Sequence, residues 1–156
     1  MAIHSTFMCI GTYTGSVHML NLHGSHIRRL HKHFKQITDI SIDATGQYIA
    51  TGSHDGVVAI NWLQEDSSAQ VISYNYISPV YAVQFQPVLR GVQAAAAVAD
   101  RVFATGGIAG QMILNRKGWI VQKEITIHEG EGPIDCIRWS QTLVAWANDW
   151  GVKVRW

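Results

Sequence analysis

Acidic side chains are missing from the first 38 positions of this 156-residue chain, while Arg28, Arg29, Lys32 and Lys35 fall within them, giving that stretch a local charge of +4. Charge is scarce elsewhere too. Only 15% of residues are Asp, Glu, Lys or Arg, against about 25% in typical globular chains. The formal net charge of +1 provides no global field for a polyanion, so no nucleic-acid partner is expected. Apolar residues make up 47% of the chain, enough for a packed core, yet no run approaches the ~18 needed for a membrane-spanning helix. Met1–Ser5 lacks a basic segment leading into an apolar one, so no secretory leader is expected. Cys9 and Cys136 are the only cysteines. Two isolated thiols make no disulfide framework, and the reading is of reduced core residues in a cytoplasmic chain. Also missing are a G-x-x-x-x-G-K-[ST] phosphate loop and a G-x-S-x-G nucleophile elbow. No cofactor, small-molecule substrate or enzymatic activity is therefore expected.

What the chain does have is a beat: an apolar run, a glycine turn, an apolar run, a polar break. The turns read Tyr13-Thr14-Gly15, His54-Asp55-Gly56, Ile108-Ala109-Gly110 and Asp149-Trp150-Gly151, and their glycines stand 41, 54 and 41 residues apart. Short strands repeating at roughly 40–45 residues indicate propeller blades, so the expected class is all-β. Fourteen strands are legible. They run Phe7–Gly11, Val17–Asn21, His26–His31, Gln36–Ile42, Gln47–Thr51, Val57–Trp62, Ala69–Tyr74, Val80–Phe85, Arg101–Thr105, Gln111–Asn115, Trp119–Thr126, Ile134–Trp139, Thr142–Ala147 and Val152–Trp156. Divided by the turns they supply three, four, four and three strands, or about three to four blades. The whole of 1–156 then reads as an incomplete propeller domain, a fragment of a larger ring.

The longer interval places an insertion at 86–100, between strands, with four alanines at Ala94–Ala97. Alanine favours helix. The segment reads either as an apolar docking loop or as a tolerated surface expansion. Six of the eight histidines (His4, His18, His23, His26, His31, His33) precede residue 36. His31 and His33, two apart, would share one strand face. No metal site is expected, since zinc needs three or four ligands and neither Cys nor carboxylate stands close by. Asp55, Asn148 and Asp149 suit turn chemistry, and Trp62, Trp139 and Trp146 suit packing between blades. The basic residues Arg28, Arg29, Lys32 and Lys35 have two readings. One is a docking edge for an acidic protein or anionic membrane, with salt-dependent binding; the other is the charged outer strand of a sheet edge.

The most specific pattern lies near the end. Ile127-His128-Glu129-Gly130-Glu131-Gly132-Pro133-Ile134, then Ile137-Arg138-Trp139, Leu143–Asn148 and Gly151–Val154, resemble the N-terminal propeller of the vacuolar protein sorting-associated protein 41 family. Gly11–Val17 and Ala50–Gly56 fit its earlier blades. The resemblance implies that His128, Glu129, Gly130, Glu131, Gly132, Trp139, Trp146, Asn148 and Gly151 are structural. It further implies a non-catalytic scaffold domain of a HOPS-type tethering subunit. Such a subunit serves vesicle-mediated protein transport, peripheral on late endosome, vacuole or lysosome membranes. Its partners would be other tethering subunits, with a small GTPase or a vesicle adaptor besides. A membrane-binding module or a propeller-type enzyme are the other readings; the latter would need an inward-facing acid–base constellation.

Overall fold

The computed structural model describes residues 1–63, 71–87, 102–117 and 122–156, and within them all regular structure is β. Four antiparallel sheets follow one another along the chain. The first contains β1 (Ala2–Ile3), β2 (Phe7–Gly11), β3 (Ser16–Asn21) and β4 (His26–His31). The second contains β5 (Ile37–Ile42), β6 (Tyr48–Ser53), β7 (Val57–Trp62) and β8 (Val71–Asn75). The third contains β9 (Val80–Phe85), β10 (Val102–Gly107), β11 (Gln111–Lys117) and β12 (Gln122–Glu129), and the fourth β13 (Cys136–Trp139), β14 (Val144–Asn148) and β15 (Gly151–Arg155). Each strand pairs with its sequence neighbour, so every sheet is a simple up-and-down meander.

The first sheet differs from the sequence reading. Ala2–Ile3 adds a fourth strand, with Ala2 opposite Cys9 and Ile3 opposite Met8. Two residues are too few to show a period of two, so no alternation could reveal them. The last sheet starts at Cys136, not Ile134, because Ile134 N–H donates to Gly107 O of the third sheet, and contact with β14 begins only with Asp135 N–H to Ala147 O. Of the inserted segment, Gln86 donates to Val102 O at 2.9 Å. The alanine helix and docking loop proposed for it, like Trp119, lie outside the described residues.

Each sheet contributes alternate residues to a core shared with the next. Phe7, Cys9, Val17, Met19 and Leu30 of the first meet Ile37, Ile40 and Ile49 of the second. Ala50, Val58, Ile60 and Tyr74 of the second meet Val83, Phe85 and Phe103 of the third, with Tyr74 edge-on to Phe103. Ala82, Ala104 and Met112 of the third meet Ile137, Val144 and Trp146 of the fourth, with Ile134 of the link before it. The arc does not close: Ile3 and Ile10 on the outer flank of the first sheet, and Val152 and Val154 on that of the last, are exposed.

The joints between sheets repeat one device. Gly11, Gly52 and Gly106, each four residues before a turn glycine, lie beneath the first buried side chain of the following sheet. A β-carbon on Gly106 would sit 2.5 Å from Ile134 Cγ2, one on Gly11 2.6 Å from Ile37 Cγ2, and one on Gly52 3.1 Å from Val80 Cγ1. Polar side chains also stitch neighbouring inner strands. Thr38 Oγ1 donates to Val80 O (2.8 Å), Val83 N–H to Asp39 Oδ2 (3.0 Å) and Phe85 N–H to Ser41 Oγ (3.0 Å). The inner edge of β9 is thereby supplied with partners that no further strand provides.

Candidate functional site

In an up-and-down four-stranded sheet, the turn between the second and third strands and the link to the next sheet emerge at the same end. Backbone hydrogen bonds tie these segments into a continuous row. Ile37 N–H donates to Thr12 O (3.0 Å), His54 to Gln36 O (3.1 Å), Tyr76 to Gly56 O (2.7 Å), Ile108 to Pro79 O (3.1 Å) and Gly130 to Gly110 O (3.1 Å). Every segment in the row lies within the described residues. Gly56 shows why glycine is needed there: its φ is +82°, and a β-carbon would fall 2.5 Å from Tyr76 O. Gly15 and Gly110 meet the carbonyls of His33 and Gly132 in the same way.

Under this face each joint is plugged by a ring from the preceding outer strand or its link. At the first, His33 is buried. Its Nδ1 lies 3.2 Å from Asp55 Oδ2 and its Nε2 2.7 Å from Thr51 Oγ1. Asp55 also accepts from Phe34 N–H and Val57 N–H, both at 2.9 Å. Because a carboxylate can only accept, Nδ1 carries the proton and Thr51 O–H donates to Nε2. Burial pushes the His33 pKa below its ordinary 6.5, against the opposing pull of Asp55. Burial pushes Asp55 up, but the two backbone donors and His33 outweigh it and hold the carboxyl below its ordinary 3.8. The pair is therefore a neutral imidazole beside a carboxylate.

At the second joint Tyr76 O–H donates to Asn115 Oδ1 (2.9 Å), and Asn115 Nδ2 donates to Thr105 Oγ1 (3.3 Å). Burial raises the Tyr76 pKa to about 12, so the phenol keeps its proton. At the third, the His128 ring packs 5.2 Å from that of Trp146. Thr51, Thr105 and Trp146 each stand five residues before their turn glycine, so the three plugs are equivalent. Trp146 Nε1 is buried without an acceptor.

The glycine-rich signature is only partly a turn: His128 and Glu129 end β12, and the chain bends at the three residues that follow. Gly130, Glu131 and Gly132 adopt φ of 90°, 64° and 86° in succession. Glu131 pairs with Lys153, which lowers its pKa. Asn148 Nδ2 reaches Glu131 Oε2 (3.5 Å), while Asn148 Oδ1 accepts from Trp150 N–H (3.1 Å). Gln111 Nε2 donates to Glu129 Oε1 (2.9 Å). Trp139 is half-buried against the third core, and Trp62 stacks on Tyr48.

The basic residues do not form one patch. Arg28 and Arg29 are adjacent on β4 and project to opposite faces. Arg28 is half-buried, Arg29 donates to Ser16 Oγ (2.8 Å from Nη2), and Lys32 and Lys35 lie exposed on the link to β5. Nor do His31 and His33 share a face. β4 ends at His31, which is exposed and bonded to Ser16 Oγ (3.0 Å), and the chain then turns His33 inward. The inner strands are not wholly apolar: Asp39 and Arg138 lie on β5 and β13. Both Asp39 oxygens are occupied by backbone donors, Val83 and Ile40. Among the described residues no three His, Cys, Asp or Glu side chains gather as metal ligands.

Large apolar side chains crown the turn face. Tyr13, Phe34, Ile77 and Trp150 are each 79% exposed or more, and Ile108 is half exposed. Among the described turns at the other end, only Leu22 and Leu143 are large, apolar and exposed. No sequence signal marked this crown, since its members are single apolar residues inside polar turns.

Four meandering sheets packed face to face in an open arc, with a ring plugging each joint at one end, define part of a WD-repeat-type β-propeller. Solved propellers agree. A chain of the mitotic checkpoint complex superposes with a TM-score of 0.75 at 17% identity, over 97% of this chain and 47% of that one. The Cps50 (Swd1) propeller domain of Myceliophteria thermophila gives 0.74 at 17% identity, over 96% and 47%. These likenesses fix the fold alone. A family model for the Vps41 propeller, described as "Vps42 beta-propeller", matches residues 1–155, and the chain belongs to that family. It is 36% identical over 154 residues to the vacuolar protein sorting-associated protein 41 homolog of Solanum lycopersicum and 29% identical over 155 to that of Homo sapiens. Each alignment takes in 99% of this chain but only 15% and 17% of those relatives.

Proposed function

We propose that this propeller segment is a non-catalytic interaction domain of a vacuolar-sorting tethering subunit, and that its turn face is the surface that recruits partners. The crown of Tyr13, Phe34, Ile77, Ile108 and Trp150 carries this reading. An aromatic side chain buries about 150–250 Å2 when covered, and exposed apolar clusters on one side of a soluble domain mark contact sites. The relatives' name places them in vacuolar protein sorting. A HOPS-type complex on late endosome, vacuole or lysosome membranes supplies suitable partners: its other subunits, a small GTPase or a vesicle adaptor. Lys32 and Lys35, beside Phe34, would draw an acidic partner to the same face.

Replacing Phe34 and Trp150 together by serine is expected to weaken binding to purified tethering subunits by about tenfold or more, the loss typical of one or two contact anchors. Both residues are exposed, so the thermal midpoint should stay within about 2 °C of the parent, as surface changes usually do. Undiminished binding by the double variant, measured by biolayer interferometry, would contradict this assignment.

A further inference from the structure

Among the described residues, a cavity of about 410 Å3 opens on the turn face in the cleft between the second and third sheets. Its walls include Tyr76, Ile77, Pro79, Gly107, Ala109 and Ile113. That volume lies within the range of sites that hold a small ligand or an inserted side chain. Of the polar side chains around it, the Tyr76 hydroxyl is engaged with Asn115 and Gln111 with Glu129, while Asn75 and Ser78 stand at the rim. Most of what the wall offers an incoming group is hydrocarbon, bounded by exposed Ile77 and Ile108. One edge of the cleft is acidic. Gln111, in the wall, holds the exposed Glu129 carboxylate, and no Lys or Arg of the described residues forms an ion pair with it.

We propose that this cleft receives an apolar side chain from a short segment of a partner protein, and that a lysine or arginine beside that side chain pairs with Glu129. An apolar cavity with an unpaired carboxylate at its edge selects for that combination: hydrocarbon supplies the contact area, and the charge fixes direction and rejects acidic segments. The proposal rests on the turn face being the interaction surface and names one anchor point within it.

The test uses the full chain with fluorescein-labelled peptides SGLLKRGS, SGSSKRGS and SGLLEEGS, read by fluorescence anisotropy at 50–150 mM salt (about one Debye length of 8–14 Å). SGLLKRGS should bind saturably and the other two at least tenfold more weakly. Ala109→Trp, which fills the exposed cavity mouth, should abolish binding of SGLLKRGS. Glu129→Lys should weaken it tenfold and strengthen binding of SGLLEEGS. Equal binding of SGSSKRGS, no saturable binding of SGLLKRGS, or indifference to both substitutions would overturn the proposal. So would anionic phosphatidylserine vesicles, rather than peptide, responding to Ala109→Trp. Tethering subunits measured in parallel separate the two readings: if they respond to the Phe34 and Trp150 changes but not to Ala109→Trp, the face stands and the cleft falls.

Discussion

Gly106→Val should lower the thermal midpoint by about 2–12 °C in the parent, and by at most about half as much when it is made in an Ile134→Ala background. Ile134 is fully buried, with its branched carbons where a side chain on Gly106 would have to go. Isoleucine is stiff at its β-carbon, so the crowding cannot be relieved by swinging a flexible end away. Overpacking of this kind costs about 1–3 kcal/mol, and in a chain of this size each kcal/mol moves the midpoint by about 2–4 °C. Ile134→Ala alone is also costly, about 2–5 kcal/mol, through the cavity it leaves. The informative quantity is therefore the coupling, which should be favourable and on the order of 1 kcal/mol or more. Strict additivity in a double-mutant cycle would show that the third joint is not held by this contact.

Asp55→Ala should be at least as damaging, costing about 2–4 kcal/mol, because it strands several donors at once. Phe34 N–H, Val57 N–H and His33 Nδ1–H all lose their acceptor. The same plug gives the fold an acid sensitivity of known sign. The folded pKa of His33 lies below its ordinary 6.5, so the unfolded chain takes up a proton that the folded one refuses. Its contribution is complete above 6.5 and declines as the pH falls from there toward the folded value. Asp55, held below 3.8, adds a second loss only in more acidic solution. Urea unfolding at pH 7.5 and 5.5 should show the parent losing stability and His33→Gln losing measurably less. Identical pH slopes for the two would exclude His33 as the source.

The sequence carried the architecture and missed the joints. The glycine turns at Gly15, Gly56, Gly110 and Gly151 disclosed the blades because each has a positive φ, and at the first three a carbonyl also stands where a β-carbon would go, a constraint that repeats with the fold. The strands between alternate apolar and polar residues, so their positions followed. In the sequence His33 reads as one of a cluster of histidines and Asp55 as a turn residue, and nothing local links two residues 22 positions apart. A regularity was available: a ring-bearing polar residue four positions before Ile37 and Val80, and a threonine five before Gly56 and Gly110. The exposed crown is a different case. Tyr13, Phe34 and Ile77 have no periodicity to betray them, and only the convergence of seven turns and links at one end brings them together. The basic cluster at Arg28 and Arg29 was legible as composition, but adjacent strand residues face opposite ways, and linear sequence alone gave it a unity that the sheet divides.

Hydrogen–deuterium exchange of the chain, free and saturated with purified tethering subunits, tests most directly whether the turn face is the recruiting surface. The account predicts slowed exchange confined to residues 12–15, 32–36, 76–80, 108–111 and 148–151, with 43–47 and 140–143 at the other end unchanged. Protection at 43–47 and 140–143 with none on the turn face would contradict it.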